Sequence, residues 1–114
     1  MKTKTEIQSA LSQCYGTESY FKNQILNFQY TDGVHTMWEM CEAYWLLIAI
    51  SSYKRTEPFQ VWSLVVNGTK AVLTMKEDTN SPVLVKQEIP YTDFPLDKMD
   101  LWLIDGILIL PSEY

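Results

Sequence analysis

The chain has 114 residues, of which 46% are hydrophobic and 20% charged, with four glycines and five prolines. This composition is typical of one soluble globular domain and excludes collagen-like, low-complexity and disordered chains. The longest apolar run, residues 43–50, is far shorter than the roughly 20 residues that span a membrane. The basic N-terminus is followed by a mixed amphipathic pattern rather than by a signal peptide. We therefore expect a single cytoplasmic domain over residues 1–114, without membrane contact.

The net charge of −5 is concentrated near the C-terminus. Residues 88–114 contain six acids and one lysine, whereas residues 1–87 contain eight acids and eight bases. Such a chain is poorly suited to bind nucleic acid directly, because phosphate contacts need clustered Lys and Arg. It suits a partner protein with a basic surface, such as a nucleic-acid-binding groove. The alternative is that these acids only keep an apolar hairpin soluble.

The N-terminal third predicts two short helices and a short strand. Apolar residues at helical spacing predict a helix over residues 6–14, with Thr5 as its N-cap and Gly16 at its end. A second helix is expected to start at Thr17, where a capping residue precedes an acid. Alternation of apolar and polar residues predicts a strand over residues 26–31.

The clearest helical pattern covers residues 34–52. Its apolar residues follow the helical period, and residues 43–50 are apolar on every side. Other elements must cover that half, so we expect one long helix at the centre of the fold. Pro58 prevents its continuation.

The remainder of the chain predicts antiparallel strands. Asn67-Gly68 and Asp105-Gly106 are strong hairpin signals. A connection over residues 91–100, with one helical turn at residues 95–99, separates the two hairpins. The predicted strands are residues 60–66, 70–76, 83–89, 101–104 and 107–110. The prediction is an α+β fold, with N-terminal helices packed on a C-terminal antiparallel sheet of about five strands. The last hairpin is apolar on both faces, so it is expected to be internal or covered by a second subunit. A homodimer is therefore one of the alternatives.

One helical face resembles an active site. His35, Glu39 and Glu42 are spaced to share a face, where an imidazole and two carboxylates would bind a metal or transfer protons. The alternative, which we adopt, is a solvent-exposed face with no metal and no cofactor. Cys14 and Cys41 with one histidine are too few for a zinc site of Cys and His alone, and we expect both to be small buried residues. The four tryptophans are expected in the core, with a protein-binding aromatic patch as the alternative.

Five sequence blocks together resemble a family of small bacterial and phage proteins catalogued as a domain of unknown function. The blocks are Tyr30-Thr31-Asp32-Gly33-Val34, Ala43-Tyr44-Trp45-Leu46-Leu47, Phe59-Gln60-Val61-Trp62, Tyr91-Thr92-Asp93-Phe94-Pro95-Leu96 and Leu110-Pro111-Ser112-Glu113-Tyr114. The resemblance implies one compact domain that occurs on mobile elements, and it implies no reaction. This chain has Ile48 where the family is expected to carry an acid, which argues further against a catalytic carboxylate in this helix.

These observations predict a small acidic protein that is not an enzyme and acts by binding a host protein with a basic surface. The setting suggests a phage inhibitor of a host defence effector, similar to an anti-CRISPR protein. The alternatives are a housekeeping or antitoxin-like interaction protein and, less favoured, a small enzyme using the His35 face. The residues expected to contact the partner are Tyr91, Asp93, Phe94, Asp97, Asp100 and Glu113.

Overall fold

A computed structural model describes residues 3–13, 20–22, 25–53 and 56–114 of the chain. The helices are α1 (Lys4–Ser12), α2 (Asp32–Cys41) and α3 (Tyr44–Ser52), followed near the end by a short 3₁₀ helix (Pro111–Glu113). The strands are β1 (Tyr20–Lys22), β2 (Gln29–Thr31), β3 (Phe59–Asn67), β4 (Lys70–Lys76), β5 (Val83–Ile89), β6 (Lys98–Ile104) and β7 (Ile107–Ile109). The predicted α+β class is confirmed. None of the helices in these residues is long and apolar enough to cross a membrane.

The strands of the described residues form one sheet in the order β1-β2-β7-β6-β3-β4-β5. The prediction of about five antiparallel strands is wrong in two respects. Two strands from the N-terminal third join the sheet, which raises the number to seven, and β2 pairs with β7 in parallel. Helices and strands also alternate before residue 53, so the helices are not confined to the N-terminus.

Both predicted hairpins form. The β6–β7 hairpin turns at Asp105-Gly106, where both residues have positive φ. In the β3–β4 hairpin Asn67 still pairs with Lys70, so the loop lies one residue later than predicted, at Gly68-Thr69. The β6–β7 hairpin lies inside the sheet between β3 and β2, as the apolar character of both its faces predicts.

The single long helix predicted over residues 34–52 is wrong, because the chain forms two helices. Glu42 has φ 52°, a left-handed conformation that ends α2, and the Ala43 amide donates to the Trp38 carbonyl at 2.9 Å. Both helices bury apolar residues in the same core, but the period of α2 does not continue through the break, because α3 buries Leu46, Leu47 and Ile50 and leaves Ile48 exposed. A period alone does not reveal such a change of direction.

The other helical predictions need smaller corrections. α1 begins two residues earlier than predicted, and Thr3 rather than Thr5 accepts from the Glu6 amide at 3.2 Å. The positions Cys14, Gly16 and Thr17 lie outside the described residues. Residues 20–22 are strand, and the turn predicted over residues 95–99 is replaced by a bend that leads into β6 at Lys98.

In the described residues, the sheet has one face packed against the α-helices and a second face that no α-helix covers. Alternate residues such as Trp62, Leu64, Leu73 and Leu101 are at most 1% exposed and belong to the same core cluster as the helices. Because successive strand residues point to opposite sides, the intervening residues form the other side, which we call the open face. The open face includes Phe59, Val61, Ser63, Val65, Val72, Thr74, Lys76, Lys86, Glu88, Lys98, Asp100, Trp102, Ile104, Ile107 and Ile109.

Candidate functional site

The connection from β5 to β6 wraps around the tip of the β3–β4 hairpin. The Thr92 amide donates to the Thr69 carbonyl at 2.7 Å, and the Val66 amide donates to the Asp97 carbonyl at 2.8 Å. These two bonds hold three of the predicted site residues at the same end of the sheet. We call Tyr91, Asp93 and Asp97 the hairpin-tip surface. All three are exposed, and Tyr91 is 73% accessible.

The acids near this surface have partners within the chain. Lys4 Nζ of α1 lies 2.6 Å from Asp97 Oδ2, and both side chains are well exposed. Asp100, on the adjoining open face, accepts from Ser63 Oγ at 2.5 Å and lies 3.8 Å from Lys98 Nζ. Exposed ion pairs contribute little to stability, so a basic partner can displace these lysines at small cost.

The two remaining predicted residues, Phe94 and Glu113, are not part of the hairpin-tip surface. Phe94 is 6% exposed and packs its ring edge-on against Trp45, with centroids 6.5 Å apart. Its backbone amide donates to Thr92 Oγ1. Phe94 therefore belongs to the core and its ring is not at the surface.

Glu113 joins the C-terminal tail to the start of α2. Its Oε1 accepts from Thr31 Oγ1 at 2.6 Å and from the Leu110 amide at 2.9 Å. A methyl group placed on Gly33 would lie 2.7 Å from the Glu113 carboxylate, so a side chain there would require the carboxylate to move. Thr31 also accepts from the Val34 amide and caps the helix. Glu113 is thus a structural residue, and the first and last family-like blocks meet here.

The candidate active-site face is not a continuous helical surface. Glu42 follows the end of α2 in a left-handed conformation, so the predicted spacing of His35, Glu39 and Glu42 on one helix is wrong. His35 Nε2 lies 3.0 Å from Glu39 Oε1, while its ring stacks on Phe21 with centroids 4.4 Å apart. Within the described parts of the chain, no three His, Cys, Asp or Glu residues are placed to hold a metal ion.

Cys41 is buried, as predicted, and is 1% exposed. Burial raises the pKa of its thiol to about 12, because the thiolate would lose its hydration. The nucleophilic thiolate is therefore scarce at neutral pH. The prediction for Cys14 lies outside the described residues.

The open face carries an aromatic cluster that the sequence did not reveal. Trp102 is half-buried on this face and not in the core as predicted, although Trp62 is buried. The C-terminal Tyr114 meets Trp102 and Phe59 edge-on, with centroids 5.3 Å and 6.3 Å apart. A shallow groove of about 360 Å³ runs beside this cluster over Ser63 and Thr74. Only the strand register decides which of two alternating apolar residues faces outward.

The hairpin-tip surface is exposed, and the first and last of the five sequence blocks have a structural role where Glu113 meets Thr31. A comparison with protein families matches residues 5–114 to a family of unknown function, DUF6876. No curated protein and no solved structure matches the chain. The family match spans nearly all of the sequence, and the predicted resemblance to a family of unknown function is confirmed. The chain belongs to the family DUF6876.

Proposed function

We propose that this protein is a non-enzymatic binding protein whose hairpin-tip surface docks on a basic region of another protein. The observation that carries the proposal is the position of Tyr91, which is 73% exposed on the same short connection as the exposed Asp93 and Asp97. An aromatic ring left in water at the tip of a hairpin contributes little to folding. It is the residue type that most often supplies binding energy at protein interfaces.

The carboxylates and the Tyr91 ring of such a surface affect different steps of binding. Exposed carboxylates raise the rate of association with a basic partner, and this effect weakens with salt. The Tyr91 ring, once buried by the partner, slows dissociation. The backbone bonds to Thr69 and Val66 anchor the segment, so little conformational entropy is lost on binding.

The partner class we propose is a nucleic-acid-binding effector of a host defence system, as for anti-CRISPR proteins. The nucleic-acid groove of such an effector is basic because it must neutralise phosphates. An acidic protein that occupies this groove would exclude the nucleic acid. The support for this partner is the charge of the chain, −5 in total, and the exposure of Asp93 and Asp97.

The test compares two double variants in cells that carry a CRISPR defence and are challenged with phage. Asp93→Asn/Asp97→Asn removes two charges from the hairpin-tip surface. Glu77→Gln/Asp105→Asn removes two exposed charges from turns at the opposite end of the sheet. At equal protein levels, the native chain and the opposite-end variant are expected to disable the defence, and the hairpin-tip variant is expected to leave it active.

Binding to a purified effector separates the electrostatic and aromatic parts. The hairpin-tip variant should lower the association rate several-fold at low salt, and Tyr91→Ala should mainly raise the dissociation rate. If the native chain disables no defence and captures no basic effector across several systems, the proposal is wrong and the housekeeping function replaces it. Equal loss in both double variants would also contradict the assigned surface.

A further inference from the structure

Two rows of side chains cross the open face near the hairpin tip, and each row begins and ends with opposite charges. The strand register defines them across β6, β3, β4 and β5. The inner row is Asp100, Ser63, Thr74 and Lys86. The outer row is Lys98, Val65, Val72 and Glu88. From β6 to β5, the inner row therefore begins with an acid and ends with a base, and the outer row begins with a base and ends with an acid.

This order makes the two rows complementary to themselves. A two-fold axis parallel to the strands, above the gap between β3 and β4, would lay β6 of one copy over β5 of a second copy. Asp100 then faces Lys86 of the second copy, and Lys98 faces Glu88. Between these pairs Val65, which is 49% exposed, faces Val72. All four charges of the two rows meet an opposite charge, and each contact occurs twice in the dimer.

We propose that two copies of the chain pack face to face through these rows and form a symmetric dimer. Sheets that pack face to face lie about 10 Å apart with strands nearly aligned. Lysine and glutamate side chains are long enough to meet across that gap. This inference does not depend on the proposed partner, because Tyr91, Asp93 and Asp97 lie on the connection around the hairpin tip and not in the rows.

The C-terminal tail limits the contact to this half of the open face. Tyr114 covers Trp102 and Phe59 at the apolar end, and Glu113 holds the tail against Thr31 of β2. The four strands from β6 to β5 are the part that the second copy covers. A patch of four strands and two to three side-chain rows measures roughly 20 Å on a side. This area is small for a stable interface, so we expect a weak dimer at micromolar to millimolar concentration.

The charged pairs are too far apart to form within one chain. β6 and β5 are separated by three strand spacings, or roughly 14 Å, and their side chains on the open face point in the same direction. Restoration of a contact between positions 98 and 88 therefore reports a contact between two copies. This geometry permits a test by charge exchange.

The experiment is sedimentation velocity over a micromolar to millimolar range. Lys98→Glu and Glu88→Lys, each alone, place like charges opposite each other twice in the dimer. We expect each to weaken association by roughly tenfold or more. In an equimolar mixture of the two variants, both contacts regain opposite charges, and association is expected to return to the native level.

The control mixture combines Lys98→Glu with Glu77→Lys. Its proteins carry the same net charges as the first mixture, but Glu77 lies in the β4–β5 turn outside the rows. One contact in this mixture stays repulsive, so its association should remain weaker. The single chain Lys98→Glu/Glu88→Lys provides a second test, because its own dimer has both contacts restored. Far-ultraviolet circular dichroism confirms that each variant is folded.

Any one of three results would overturn the proposal. The first is that the native chain remains monomeric at millimolar concentration. The second is that the matched mixture associates no more than the control mixture. The third is that the double variant associates as weakly as Lys98→Glu alone.

Discussion

At the residue scale, the carboxylate of Glu113 is the contact that ties the C-terminal tail to the start of α2. It accepts from Thr31 Oγ1, whose residue is fully buried, and from the Leu110 amide. A buried donor that loses its acceptor costs about 1–3 kcal/mol. The close approach of Gly33 is part of the same arrangement, because a side chain there would push the carboxylate away.

Gly33→Ala is therefore expected to have opposite effects in two backgrounds. In the native chain it should lower the free energy of unfolding by about 1–2 kcal/mol, because the added methyl group collides with Glu113. In the Glu113→Ala background the collision is gone, and alanine in a helix is favoured over glycine by about 0.5–1 kcal/mol. Urea denaturation of the four proteins measures this coupling. An equal effect of Gly33→Ala in both backgrounds would contradict it.

Cys41 predicts a loss of stability at high pH. Burial raises the pKa of its thiol to about 12 in the folded state, whereas an unfolded cysteine ionises near pH 8.5–9. Between these values the folded state keeps a proton that the unfolded state has released, so stability falls as pH rises. The slope from this one group is at most about 1.4 kcal/mol per pH unit.

The measurement is urea denaturation of the native chain and of Cys41→Ala from pH 8 to about pH 10.5, the range in which the unfolded thiol ionises. Cys41→Ala is less stable at pH 8 because it leaves a cavity. The difference between the two proteins should shrink as pH rises, since only the native chain loses the contribution of this thiol. A constant difference across the range would show that the Cys41 thiol ionises equally in both states.

At the element scale, the break between α2 and α3 depends on one residue in a left-handed conformation. Glu42 has φ 52°, a left-handed conformation that residues other than glycine and asparagine adopt at a cost of roughly 1–2 kcal/mol. The break lets α2 and α3 each present a different apolar face to the same core. A straight helix over both segments could not bury Met37, Cys41, Leu47 and Ile50 in the same way, because at about 100° per residue the last two would lie on a different side of the helix from the first two.

Replacements of Glu42 isolate this conformational cost. Both Glu42→Gly and Glu42→Ala remove the carboxylate, but only glycine adopts the left-handed conformation without strain. We expect the glycine variant to be more stable than the alanine variant by about 1 kcal/mol. Thermal unfolding of the two variants gives the comparison. A more stable alanine variant would mean that α2 continues past residue 42, as the sequence pattern predicts.

At the scale of the whole molecule, folding redistributes the charge that is segregated along the chain. Lys4 reaches Asp97 across 93 residues of sequence, so a base of the N-terminal helix meets the acidic quarter. Lys86 and Asp100 share one row of the open face, and Glu88 and Lys98 share the next. The acidic end of the chain is thus a mixed surface in the fold, and its exposed carboxylates are divided between the hairpin-tip surface, the outer row and the turn at Asp105.

Several elements have local signals in the sequence and could be predicted from it. The α+β class, the strands over residues 70–76 and 83–89, and both hairpins follow from alternation and from turn residues that neighbouring positions define. The sequence also predicted that residues 91–100 connect two strands, and Tyr91, Asp93 and Asp97 are exposed on this connection. The wrong predictions include one long helix over residues 34–52, about five antiparallel strands and Trp102 in the core.

Only the tertiary structure decided the contacts between residues that are distant in the chain. The parallel pairing of β2 with β7, the side of the sheet that stays open and the bond between Thr31 and Glu113 across 82 residues have no local signal. Phe94 and Tyr91 show the same limit, since both are aromatic residues of one short segment and only one is buried. Burial and pairing depend on which surfaces meet after the chain folds, and residue spacing alone does not contain that information.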